Sequence, residues 1–296
     1  MKNSINTPIK KFEIISCSRR TDIPAFLMDW VIKKIKQGFV DVVNPFNKKQ
    51  TSRVSLNPDH VKCICWWSKD YSEWIEYYKK NKDLFTQYRG HYFQFTINSP
   101  SELELGIKIS LDDRLKQLKW LIDEFGAIAV NYRYDPIIIY RKKNDNQIRA
   151  NLGKFKYLMQ KISDFGLKEI IFSFVTIYSK VKKRMIRRGF IPIQLSLDKK
   201  KDILEKLLNI CNHYDLEMKA CCQPDILELN LPRISQAHCI DAYKIEQITK
   251  CPISKKTDTG QRDDCGCYKS KDIGGYYGIF KCKHNCSYCY ANPRSN

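Results

Sequence analysis

Short apolar runs rich in β-branched and aromatic residues recur along the chain at Phe12–Ser16, Phe39–Val43, Lys62–Trp67, Tyr92–Ile97, Ala127–Tyr132, Glu169–Val175 and Glu217–Cys221. Each has the length of a buried strand. Between them lie segments of helical character at Ala25–Gln37, Ser72–Phe85, Asp112–Phe125, Asn146–Phe165 and Leu197–His213. In the last of these Ile203, Leu204, Leu207, Leu208 and Cys211 recur at three and four residues and fall on one stripe. Lys199–Lys201, Glu205 and Lys206 lie off it, which predicts a core-facing helix. Ser110 and Ser196 precede acid-bearing first turns and are expected to cap their helices.

Alternation at this spacing predicts βα units and a parallel sheet. Seven strands, with an eighth expected near Ile226–Leu229, indicate an α/β protein built as a (β/α) TIM-type barrel, complete or nearly so. The barrel is expected over residues 1–230, and a cysteine-rich extension over residues 231–296 is expected to pack across its mouth.

Composition adds chemistry to this outline. Of thirteen cysteines in 296 residues, nine fall from Cys221 onward, whereas cysteines placed to staple a fold would be spread more evenly. The segment Met1–Phe12 is polar and lysine-bearing, and nowhere do eighteen apolar residues run together, which predicts a cytoplasmic protein with no membrane span. In that compartment clustered cysteines bind metal more often than they form disulfides. Fifty-two Lys and Arg against thirty-two Asp and Glu give a net charge of +20, which favours anionic partners, either a small molecule or nucleic acid. Basic runs at Lys142-Lys143, Lys180–Arg188 and Lys199–Lys201 read either as a solvated surface or as a track for phosphates. The chain carries no phosphate-cradling glycine loop and no G-x-G-x-x-G after a strand.

The closing segment Cys282-Lys283-His284-Asn285-Cys286-Ser287-Tyr288-Cys289-Tyr290 is a C-x3-C-x2-C triplet. Three thiolates so spaced can hold three irons of a [4Fe–4S] cluster and leave the fourth open to an outside ligand such as S-adenosylmethionine. A second group, Cys265 and Cys267 with Cys239 and Cys221, can close a four-thiolate site of structural or electron-transferring type. Cys17, Cys63, Cys65, Cys211, Cys222 and Cys251 are read as packing residues. His284 and His238 keep open a zinc-stabilised binding module, although only Cys286 and Cys289 form a C-x2-C knuckle.

In a barrel the strands' C-terminal ends carry the site. Arg19, Arg20 and Asp22 follow the first strand, Asn44-Pro45-Phe46-Asn47 the second and Trp67-Ser68-Lys69 the third; Gln94 and Thr96 end the fourth, Arg133 and Asp135 the fifth, and Ser173 lies in the sixth. Arg19, Arg20 and Arg133 suit an anionic substrate or a cofactor carboxylate, and Asp135 suits orientation or proton transfer. Asn44, Gln94, Ser173 and Tyr288 are candidates to contact a cofactor. Plainer roles exist for each: Asp22 as a helix cap, Arg133 with Asp135 as a structural pair, 44–47 as a turn, and Gln94 or Ser173 as a buried hydrogen bond.

The segments Ser18-Arg19-Arg20-Thr21-Asp22-Ile23-Pro24-Ala25-Phe26, Asn44–Asn47, Arg133-Tyr134-Asp135-Pro136 and Cys286-Ser287-Tyr288-Cys289-Tyr290-Ala291-Asn292 resemble a bacterial family catalogued as a domain of unknown function. The terminal cysteines of that family are described as similar to those of radical S-adenosylmethionine enzymes, and the 282–290 string is similar to the cluster loop of the spore photoproduct lyase group. The resemblance implies an iron–sulfur enzyme of radical type, served by an electron donor such as ferredoxin or flavodoxin. Two features depart from that pattern: the loop lies at the C-terminal end, and Gly274-Gly275 is followed by Tyr276-Tyr277 instead of an acid. A nucleic-acid binding or repair protein with a structural cluster is the main alternative.

Overall fold

The computed structural model describes residues 8–45 and 47–291. In chain order the strands are β1 (Ile14–Cys17), β2 (Phe39–Val43), β3 (Thr51–Ser55), β4 (Cys63–Ser68), β5 (Gly90–Thr96), β6 (Val130–Ile137), β7 (Ile139–Lys142), β8 (Arg149–Ala150), β9 (Glu169–Phe174), β10 (Phe190–Pro192), β11 (Glu217–Ala220), β12 (Ile234–Gln236) and β13 (Lys271–Asp272). The helices are α1 (Ile23–Phe26), α2 (Met28–Gln37), α3 (Ser72–Lys80), α4 (Lys82–Thr86), α5 (Leu111–Phe125), α6 (Phe155–Asp164), α7 (Ser179–Arg187), α8 (Leu197–His213), α9 (Pro224–Leu227) and α10 (Ala242–Thr249).

Eight strands form one parallel sheet in the order β12-β11-β9-β6-β5-β4-β1-β13. From β1 to β12 each strand pairs with the next sheet strand in the chain, and β13 returns to the free edge of β1. Among the described residues the hydrogen-bonded ladder ends at β12 and β13, so the fold is a mixed α/β protein around a large parallel sheet.

Strand residues alternate between two cores, as the two-residue period requires. Ile15, Ile64, Trp66, Phe93, Tyr132, Phe172 and Met218 pack under the helices, where Leu118, Leu121, Leu204 and Leu207 meet them. Ile14, Cys63, Cys65, Tyr92 and Ile171 face the other way, against Ala237, Cys239, Ile245 and Cys267. The helical stripes match the sequence: α8 spans the expected residues, with the Ser196 side chain capping at Lys199 N, and Ser110 caps α5 at Asp113 N.

Three expectations are corrected. Ile226–Leu229 is not a strand; Pro224 opens α9 there, and the next sheet strand is β12. Phe39–Val43 is a strand but pairs antiparallel with β3 in a separate hairpin, outside the parallel sheet. The helix expected from Asn146 begins only at Phe155, because 146–154 contains β8, paired with β7. No helix among the described residues is long and apolar enough to cross a membrane.

Leu204 on α8 is fully buried among these side chains. Leu204→Ala is expected to lower unfolding stability by about 2–5 kcal/mol, read as a lower urea midpoint with an unchanged slope.

Candidate functional site

The strand C-termini gather two groups of cysteines. The first is a closed ring. Cys221 Sγ lies 3.3 Å from Cys239 Sγ, and side-chain contacts continue from Cys239 to Cys267, Cys265, Cys222 and back to Cys221. Cys221 and Cys222 follow β11, Cys239 follows β12, and Cys265 and Cys267 precede β13. Gly266 sits between the last two because its backbone packs against Ala237 O and the Gln236 and His238 side chains. Cys222, read from sequence as a packing residue, is corrected to a member of the ring.

Arg133 lies beneath the ring, nearly fully buried, with Nη1 donating to Cys239 Sγ at 2.7 Å and its other arm paired with Asp135. Asp135 also accepts from Ser173 Oγ, while Gln94 Nε2 donates to Cys239 O at 2.6 Å. Two guanidiniums lie against the Trp67 ring, Arg19 at 5.4 Å and Arg133 at 5.3 Å from its centroid. Arg19 is held through Asp258 at 3.3 Å, and its backbone N–H donates to Asp272 at 2.7 Å. The ring polarises accordingly. Hydrogen bonds from Cys222 and Cys239, with Arg133 nearby, hold the Cys221 thiol well below its ordinary range. Cys267 is likewise lowered by Cys239 and Cys265, with help from Arg19. Cys239 is pushed up by its contacts with Cys221 and Cys267 and by burial.

The second group is the terminal loop with Cys282, Cys286 and Cys289. Gly106 N donates to His284 O at 2.8 Å, Ser287 N donates to Leu103 O at 2.7 Å, and Glu104 forms an antiparallel bridge with Cys286. A side chain at residue 106 would collide with the carbonyl oxygens of Lys283 and His284, so this approach requires glycine. From the other side Arg184 donates through both Nη atoms to Cys289 O, at 2.7 and 2.6 Å, and Arg188 donates to Asn285 O at 2.9 Å. Asp22 caps α1 at Ala25 N and also lies 2.7 Å from His284 Nε2, so its plainer role and a site role coincide. His284 Nδ1 is buried without a partner. Tyr288 donates to Glu104, which pairs with Lys69 at 2.8 Å.

Burial pushes the Cys282 thiol up to about 12, with Asp22 adding to the shift. Burial likewise raises Cys286, against the pull of Lys69, and both Cys289 and Cys282 act on it. Among the described residues no group of three or more His, Cys, Asp or Glu side chains is so placed that it could hold a metal ion. The structure shows the thiols and the loops that carry them. Asn98 links the two groups: its Nδ2 donates to Tyr288 OH at 3.2 Å, and its Oδ1 accepts from Asp135 N at 2.9 Å.

Of the sequence candidates, Arg19, Arg133, Asp135, Gln94 and Ser173 gather at the ring with Cys221, Cys239, Cys265 and Cys267, while Asp22 and Tyr288 lie at the terminal loop. Arg20 points instead to Gly274 O at 3.2 Å, with Tyr276 beside it. Asn44 lies after β2, its Nδ2 donating to Gln50 in an exposed turn; Phe46 and Asn292 lie outside the described residues. Asn98 and Glu104 were not singled out, Lys69 was placed only on the strand-end rim, and Arg184 and Arg188 only in a basic run. Nothing in their local sequence marks them, because their partners are about 35 to 190 residues away.

The family described as Domain of unknown function (DUF1848) matches residues 14–291. No curated protein and no solved structure matches the chain.

Gly106→Ala is expected to loosen the terminal loop while leaving the sheet intact. In metal-free protein the alkylation rate of Cys282, Cys286 and Cys289, followed by peptide mass spectrometry, should rise at least tenfold, with Cys63 and Cys65 unchanged.

Proposed function

We propose that the chain, which belongs to the DUF1848 family, is an iron–sulfur enzyme of radical S-adenosylmethionine type acting on an anionic substrate. Cys282, Cys286 and Cys289 would hold a [4Fe–4S] cluster with one iron open to S-adenosylmethionine. The observation that carries this reading is the clamped loop. Gly106, Leu103, Arg184 and Arg188 fix its backbone groups, and among the described residues the three sulfurs hydrogen-bond only with backbone groups. The donors fit an iron–sulfur cluster: they are thiols on one short loop, buried enough to stay protonated until a cation compensates their charge, with Lys69 and Arg184 nearby to offset an anionic centre.

When bound, the cluster supplies one-electron chemistry, with a ferredoxin- or flavodoxin-like protein as donor. The chain's own residues bind and orient. Arg19 and Arg133, both beside the Trp67 ring, offer two guanidiniums to an anion, and Asp135 fixes Arg133 and can exchange a proton through Ser173. Tyr288 covers the loop, its hydroxyl held by Glu104 and Asn98. Four of the ring cysteines, Cys221, Cys239, Cys265 and Cys267, suit a second, closed thiolate site flanked by Arg19 and Arg133, with Cys222 as a fifth donor at its edge. The singly wound strand order, and the packing of Gly266 on the end of β12, support reading the sheet as a nearly closed barrel.

A nucleic-acid partner is the second reading. It is favoured by α7, where Lys180, Lys182, Lys183 and Arg187 are exposed while Arg184 and Arg188 reach the cluster loop. Lys199, Lys200 and Lys201, by contrast, pair with Asp202, Asp225 and Glu205 and form an ordinary surface.

Anaerobic purification with iron and sulfide quantification tests the proposal. Wild-type protein is expected to be brown and to carry about four irons per chain, or about eight if the ring is also loaded. Replacing Cys282, Cys286 and Cys289 together by Ala should remove about four of them. An unchanged iron count in that variant, or a colourless zinc-loaded wild type, contradicts the reading.

A further inference from the structure

Arg114 lies on the first turn of α5 and is 2% exposed, yet its Nε and Nη1 have no hydrogen-bond partner. Among the described residues no carboxylate comes within ion-pair distance of it. A buried guanidinium without hydrogen bonds is unfavourable, because its N–H groups lose their water and only the field of Glu104, which it helps to keep ionised, offsets the charge. The neighbouring carboxylates are all engaged. Glu104 is taken by Lys69 at 2.8 Å, by Asn98 at 3.1 Å and by Tyr288. Asp113 is bound to Lys116 and Ser110, and Asp112 accepts from Tyr157.

Arg114 lines a cavity of about 210 Å³ at the start of α5, together with Ser101, Glu104, Ile107, Ile109, Ser110 and Leu111. That is roughly seven waters' share of liquid volume. Two features there favour negative charge: the unpaired guanidinium and the positive end of a fifteen-residue helix. The wall made by Ile107, Ile109 and Leu111 is apolar, which suits a ligand with a hydrocarbon body more than a bare inorganic ion.

We propose that this cavity binds a small organic carboxylic acid, with its carboxylate on Arg114 and its apolar body against Ile107, Ile109 and Leu111. The cavity shares Glu104 with the terminal loop, through its bridge to Cys286, but uses none of the thiols and needs no cluster, so unfolding of metal-free protein reads its failure independently of a failure of the iron–sulfur reading.

The test is thermal unfolding of the full chain with isobutyrate, against inorganic phosphate at matched ionic strength. Isobutyrate at about a hundred times its Kd is expected to raise Tm by about 5 °C, saturably, while phosphate does no more than chloride. Arg114→Met should abolish the response without lowering the ligand-free Tm, since it removes buried N–H donors that have no hydrogen-bond partner, and Glu104 keeps Lys69 as its ion pair. Ile109→Trp, which fills the cavity and leaves Arg114 in place, should weaken isobutyrate binding at least tenfold. A phosphate response equal to that of isobutyrate overturns the carboxylic-acid assignment. No response in wild type, or a full response in both variants, overturns the site.

Discussion

A carboxyl group taken out of water must have its oxygens hydrogen-bonded, and Asp272 meets that demand with groups from both ends of the chain. Ser16 Oγ at 3.0 Å, Ser18 Oγ at 2.7 Å, Arg19 N at 2.7 Å and Gly274 N at 2.9 Å all donate to it. This cluster docks β13 on β1 and turns the Ser18–Asp22 segment across the strand ends. Everything at the site follows from that docking. The 257–270 loop is drawn over β11 and β12 with Cys265 and Cys267, Arg19 is turned toward the ring, and residues 276–290 are led back to Asp22. Tyr290 OH then donates to the Arg19 carbonyl at 3.0 Å, tying the terminal loop to the same segment.

The two thiol groups differ in electrostatic character. In the ring, sulfur donates to sulfur and guanidiniums lie alongside, so the arrangement favours negative charge on Cys221 and Cys267 before any metal binds. In the terminal loop burial dominates and all three thiols are pushed up. Cation binding there would release protons and depend strongly on pH. Asn98 and Asp135 join the two thiol groups.

Much of this was legible in the sequence because it is local. Strand runs such as Glu169–Phe174 and the stripe of α8 announce themselves by period, and the C-x3-C-x2-C spacing is a property of eight consecutive residues. The misread parts depend on distant partners. Ile226–Leu229 is as apolar as a strand, but Pro224 fixes a helical first turn there. Cys222 looks like a strand-end hydrophobe until the 257–270 loop brings Cys265 against it. Arg184 and Arg188 sit in a basic run that reads as surface, and only the fold shows that two of its six charges reach the terminal cysteine loop. Arg20 stands beside Arg19 in sequence, yet the turn sends its side chain to Gly274.

The account rests on an open iron at the terminal loop, and EPR of the anaerobic, dithionite-reduced protein with and without S-adenosylmethionine tests that most directly. It predicts a reduced-cluster signal whose g-values shift on adding S-adenosylmethionine, with the shift absent when Cys282, Cys286 and Cys289 are replaced by Ala. A cluster signal that S-adenosylmethionine leaves unchanged in wild type would contradict it.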